Sequence, residues 1–189
     1  MTQANLLLER GRAALVVVDI QERLLPAIFE KERVLKNTLL LMKAAALLEV
    51  PVVLTTQYRK GLGEIVPEVR AAAQGAQPLD KLSFGCFGDD AFLDRLRALG
   101  GRGGCDQLVV AGIESHICVA QTVLGALERG YQVHVVSDAV SSRTSANWQV
   151  GLRRMEKAGA LVSSAEMALY ELLRRSDGAA FKQLLPLLK

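Results

Sequence analysis

The sequence predicts an α/β fold, in a single three-layer domain whose mostly parallel, Rossmann-like sheet carries helices on both faces. Short, continuously apolar runs such as Ala13 to Val18 read as strands buried on both sides. Stretches of helical period separate these runs, and regular alternation of strand and helix builds right-handed βαβ units and hence a parallel sheet. The 189 residues suit one domain, 1–189, with a sizeable core, and are too few for two ordinary ones.

Five strands are expected. Ala13 to Val18 forms the first and ends at Asp19. A long amphipathic helix spans Glu32 to Glu49, and Pro51 to Thr55 is the second strand. Residues 57–80 are rich in Gly and Pro and hold one short helix from Pro67 to Ala73. Asp89 to Leu99 is a helix with two acids at its start, where the dipole favours them. Gln107 to Ala111 is the third strand, stopped by Gly112. Apolar Val119, Val123, Leu124 and Leu127 mark the next helix, which ends at Gly130. Tyr131 to Val136 is the fourth strand, Thr144 to Ala158 a helix, and Ala160 to Val162 the fifth strand. Helices from Ala165 and around Phe181 close the chain.

Composition excludes several classes. Half the residues are hydrophobic, so the chain is globular. Its 23 basic and 20 acidic residues leave a net charge of +3, too balanced and scattered for a nucleic-acid footprint. Charges break every aliphatic run before membrane-spanning length. The N-terminus has no basic region ahead of its short apolar run and no cleavage site after it. An odd count of three cysteines without metal spacing fits a reducing compartment, so the protein is expected in the cytoplasm. Two separated histidines make a metal site improbable. Gly100-Gly-Arg-Gly-Gly lacks the ending of a phosphate loop and reads as a flexible turn.

Chemistry concentrates at three positions. Cys118 falls in the first turn of its helix, where free N–H groups and the dipole favour a thiolate nucleophile. It also fits a small apolar packing residue. Asp19, directly after a buried strand, is partly desolvated, which raises its pKa and suits it to take a proton. It also fits an ordinary turn cap. Lys81 lies in Pro78-Leu-Asp-Lys-Leu-Ser-Phe-Gly-Cys-Phe87, an ordered loop from which its charge could hold thiolate and carboxylate. It also fits a solvated surface lysine. Asp19 and Cys118 both follow strand ends, where ligands bind in open parallel sheets. Cys86 packs or lines the same pocket, Cys105 is exposed, His116 points away from Cys118, and His134 is half-exposed on its strand.

Together, Val-Val-Val-Asp19-Ile-Gln21, Lys81 with Phe84 and Phe87, and Ala-Gly-Ile-Glu-Ser-His-Ile-Cys118-Val-Ala-Gln-Thr resemble the isochorismatase-like cysteine hydrolases over essentially the whole chain. The stretches Gln57 to Glu68 and Val133 to Arg143 look like the isochorismatase domain-containing subgroup. The resemblance implies a catalytic triad of Asp19, Lys81 and Cys118. It also implies a cis peptide at Ile113–Glu114 and an oxyanion hole from the backbone N–H groups of Glu114 and Cys118. Two departures narrow the activity. Thr55-Thr-Gln-Tyr58 lacks the Asp-x-His and further His of nicotinamidases, and true isochorismatases lack the Cys at the nucleophile position.

The expected function is therefore metal-free, cofactor-free cysteine hydrolysis of a C–N bond in a small amide or related acyl compound, through a thioester. Gln21, Tyr58 and Phe84 are candidate substrate-pocket residues. The expected partners are a small-molecule substrate and further copies of the chain, with no nucleic acid or membrane. A homo-oligomer is expected because Leu39 to Leu48 is apolar round most of its helix and Leu184 to Lys189 is apolar at the chain end. Both stretches could instead fold back on the domain's own core. A binding or scaffold protein and a redox-sensing thiol protein are the alternatives on the same fold.

Overall fold

Six parallel strands form one sheet in the order β3-β2-β1-β4-β5-β6 in a computed structural model that describes residues 6–99 and 104–188. The expected Gly-rich turn at 100–103 and the first five residues of the N-terminus lie outside the described residues. The elements run β1 (Ala13–Val18), α1 (Lys31–Leu47), β2 (Val52–Gln57), α2 (Arg59–Leu62), α3 (Pro67–Ala72), β3 (Leu79–Lys81) and α4 (Asp90–Leu99). They continue with β4 (Gln107–Ile113), a π-helical turn (Ser115–Val119), α5 (Ala120–Glu128), β5 (Gln132–Ser141), α6 (Ser145–Lys157), β6 (Leu161–Ser163), α7 (Ala165–Leu173) and α8 (Ala179–Leu184).

The core is two layers with the sheet between them. In β1, Ala13, Leu15 and Val17 join the layer under α1, α3 and α7, while Ala14, Val16 and Val18 join the layer under α4, α5 and α6. Side chains alternate across a strand, so a strand covered on both faces must be apolar at every position. Each buried Val or Leu of the strand contributes roughly 1.5–3 kcal/mol by leaving water. Helix starts are set locally: the Thr144 hydroxyl accepts from Asn147 N–H at the head of α6, and Ser164 does the same for Met167 at the head of α7.

The sheet departs from expectation in three places. It has six strands, because Leu79–Lys81 pairs with Thr55–Gln57 as β3. Residues 57–80 hold two helical turns, α2 and α3, where one was expected. β5 runs on to Ser141, because its pairing with β4 skips a register between Val110 and Gly112 and resumes at Gly112–Val140. Gly112 has φ 118°, and a Cβ there would lie 2.1 Å from the Val18 carbonyl oxygen, so only glycine lets β4 approach β1 this closely.

The apolar outer stripe of α1 is partly covered by the chain's own end. Leu184 is fully buried beside Ala44 and Leu169, and Leu40, Leu47, Leu187 and Leu188 pack against them. No helix among the described residues is long and apolar enough to cross a membrane.

Candidate active site

Strand order places the site. Along the sheet the chain progresses outward from β1 on one side and from β4 on the other, so the crevice beyond β1 and β4 is the point where the order reverses. Asp19 directly follows β1 and Cys118 sits in the π-helical turn after β4. Asp19 adopts φ 52°, a left-handed conformation that a short polar side chain tolerates. Lys81 ends β3, on the far side of β2, and is neither in a loop nor solvated. Its long side chain crosses the end of β2 to reach Asp19.

The Asp19–Lys81 pair is sealed from water, with side chains 0% and 1% exposed. Lys81 Nζ donates to Asp19 Oδ2 at 2.6 Å, to Gln57 Oε1 at 3.0 Å and to the Phe84 carbonyl at 3.0 Å. An ammonium has three donors, and all three are used. Thr55 Oγ1 donates to Asp19 Oδ1 at 2.7 Å. Cys118 lies beside Asp19, close enough for the Asp19 charge to act on its thiol. Burial pushes the Asp19 carboxyl above its ordinary range, against the opposing pull of the Lys81 charge and of its hydrogen bonds.

One expectation is corrected here. Cys118 was expected to favour the thiolate, but its pKa is pushed up to about 12. Burial is the largest cause and the Asp19 charge the next, and together they outweigh the lowering by Lys81. At neutral pH the residue is a thiol beside a buried carboxyl group.

The remaining candidates separate. Gln21 is fully buried, and its amide is committed to backbone: Oε1 accepts from Gln57 N–H at 2.7 Å while Nε2 donates to the Gln57 and Gly63 carbonyls. Tyr58 and Phe84 are 48% and 54% exposed and flank the end of β3. The Ile113–Glu114 peptide is cis. Outside helices and strands, no backbone acceptor pairs with the Glu114 N–H among the described residues, while its carboxylate accepts from Arg143 N–H and Nε. His116 Nδ1 meets Ser142 Oγ at 2.9 Å. His134 is buried rather than half-exposed, and Cys105 is partly buried rather than exposed. Cys86 is fully buried close enough to Asp19, Lys81 and Cys118 to feel their charges. Thr55 and Gln57 were missed as site residues; polar side chains two apart at a strand end, on one face, were their only signal. No group of three His, Cys, Asp or Glu that could hold a metal ion occurs among the described residues.

Comparison with known proteins places this geometry. The isochorismatase domain model matches residues 13–167. The chain belongs to the isochorismatase family. It is 37% identical over 175 residues to isochorismatase domain-containing protein 2A of Mus musculus, covering 93% of this chain and 82% of that protein. Among solved structures, the MAR1 ribonuclease of Caenorhabditis elegans superposes with a TM-score of 0.88 at 34% identity, covering 96% of this chain and 91% of that one. The YcaC product of Escherichia coli, an octameric hydrolase of unknown specificity, superposes with a TM-score of 0.89 at 29% identity over 98% and 92% of the two chains. The fold is thus that of isochorismatase-family hydrolases, and Asp19, Lys81 and Cys118 all lie within the matched span.

Proposed function

We propose that this isochorismatase-family chain is a metal-free cysteine hydrolase that cleaves a C–N bond of a small amide or related acyl compound. The observation that carries the reading is the sealed Asp19–Lys81 ion pair at 2.6 Å, set close enough to Cys118 to act on its thiol. As the sulfur attacks the carbonyl carbon, its proton passes to Asp19, and no free thiolate need exist beforehand. The C–N bond breaks, Asp19 returns the proton to the leaving amine, and a thioester on Cys118 remains. Water then attacks the thioester carbon, giving a proton to Asp19; the acid leaves and the proton returns to sulfur. Lys81 keeps the carboxylate charged and oriented. The N–H groups of Glu114 and Cys118 stabilise the oxyanion. Tyr58 and Phe84 flank the substrate, whereas Gln21 supports the site by holding the end of β2.

The octameric relative supports extending the proposal to a homo-oligomer. The odd cysteine count supports a reducing, cytoplasmic location.

Incubation with a panel of small amides, quenched in acid and read by intact-protein mass, tests the mechanism. The expected result is an acyl adduct on Cys118 that hydroxylamine removes and that Cys118→Ser abolishes. Amide turnover that survives Cys118→Ser, or neither adduct nor turnover with any amide, overturns it. The ribonuclease name of the C. elegans relative favours a second reading, cleavage of RNA. RNA degradation by this chain, lost in Asp19→Asn and accompanied by no amide turnover, would establish that reading instead.

A further inference from the structure

We infer that Thr55 is a positioning residue for the Asp19 base, and that Thr55, Cys86 and Thr122 form a buried tether fixing base and nucleophile relative to each other. The inference rests on the reading of Asp19 as the base for Cys118. Nothing in the triad chemistry itself calls for these three residues.

The tether can be followed bond by bond. Thr55 Oγ1 donates to Asp19 Oδ1 at 2.7 Å, and the Thr55 carbonyl accepts from Asp19 N–H at 3.2 Å, so one residue grips the base at both side chain and backbone. Lys81 occupies the other carboxylate oxygen. With a donor on each oxygen, the carboxylate cannot turn without breaking a buried bond. An ionised carboxylate only accepts, so the Thr55 hydroxyl donates to it and presents its lone pairs elsewhere. Cys86 Sγ lies 3.9 Å from Thr55 Oγ1 as the donor on that side. Cys86 N–H donates to Thr122 Oγ1 at 3.0 Å, and Thr122 Oγ1 donates to the Cys118 carbonyl at 2.7 Å. The chain of bonds thus runs from the Asp19 carboxylate to the backbone of the nucleophile, Cys118. Thr55, Cys86 and Thr122 are each 0% exposed, so water cannot replace a lost member.

The titratable groups facing Asp19 are Lys81 from β3, Cys118 from the π-helical turn and Cys86 from the segment before α4. The reactive form of the Asp19–Cys118 pair holds one proton between the two groups, and acid silences the pair by adding a second. The Thr55 hydroxyl bonds the charged carboxylate and so holds that acid limb down.

The test is the rate of Cys118 alkylation by iodoacetamide across pH in the full chain, mapped by mass spectrometry. Thr55→Val keeps the shape and removes the hydroxyl. Its acid limb is expected to move up by about one pH unit, a tenfold change in proton affinity. Thr55→Ser, which keeps the hydroxyl, is expected to retain the wild-type limb. A folded Thr55→Val with an unmoved limb overturns the inference. If Thr55→Val does not fold, Cys86→Ala serves: it is expected to shift the limb in the same direction, and an unmoved limb overturns the tether. Asp19→Asn separates the two levels. If it leaves the Cys118 profile unchanged, the base reading itself fails; if it removes the acid limb while Thr55→Val does not move it, only the tether fails.

Discussion

Lys81 shows what a single residue gains from context that its neighbours in sequence do not reveal. Its acceptors on Asp19 and Gln57 come from positions 62 and 24 residues away, so a lysine that locally resembles a surface residue is sealed and paired. Removing one member of such a buried pair leaves the other uncompensated, typically at about 3–5 kcal/mol. The same distance in sequence hid the protonation state of Cys118. Its place at a helix start was legible in the chain; the burial that overrides the dipole is assembled from β1, β3 and β4. This has a consequence for stability. The Cys118 and Cys86 thiols are raised in the folded state from 9.0 to about 12 and about 11, chiefly by burial. The folded protein therefore binds these protons more tightly than the unfolded chain, and the associated stability is present below pH 9 and lost as pH rises above it. Urea titrations from pH 8 to pH 11 are expected to show falling stability, and a flatter decline in a Cys86→Ala/Cys118→Ser double variant. Equal slopes in both proteins would contradict this origin.

At the scale of elements, long apolar runs were legible and short or interrupted ones were not. β1 and β4 are continuous aliphatic segments, and both were expected at nearly their observed bounds. β3 is three residues long, with Asp80 exposed between half-buried Leu79 and buried Lys81; it is a strand only because β2 offers it a ladder. β5 was expected to end at Val136, where the aliphatic run gives way to Ser137-Asp138. In the fold these residues serve neighbours instead: Ser137 Oγ donates to the Ser163 carbonyl, and Asp138 Oδ1 accepts from Ala165 N–H at the start of α7. The skipped register that lets β5 continue depends on Gly112. Gly112→Ala combines a disfavoured φ of 118° with a backbone collision at 2.1 Å. It is expected to cost at least about 3 kcal/mol in urea unfolding. The variant should also lose Cys118 reactivity, since β4 carries the turn that presents the thiol. A loss below about 1 kcal/mol would mean that the two strands separate easily at this point.

For the whole molecule, the alternation of runs was enough to give a parallel sheet between two helical layers, and placing Asp19 and Cys118 at strand ends brought them to one edge. Strand order was not legible, and neither was the packing of the chain end. The C-terminal leucines were expected either to join an interface or to fold back on the core; Leu184 is buried and Leu187 and Leu188 rest on α1, so part of that apolar surface is satisfied within one copy. The surface left for assembly includes Leu82, Phe84 and Tyr58 beside the site and Met167 and Tyr170 on α7. Light scattering at micromolar concentration is expected to return a mass of at least two 189-residue chains, and a mass matching one chain refutes assembly. The sealing of Lys81 has a further consequence, for chemical footprinting. Every other lysine among the described residues is exposed or half-exposed, whereas Lys81 presents no amine to solvent. An acylating reagent applied to the native protein will label the surface lysines and spare this one. The rate at which Lys81 becomes labelled then times how often the sheet edge opens, giving a clock for local unfolding that requires no substrate and no mutation.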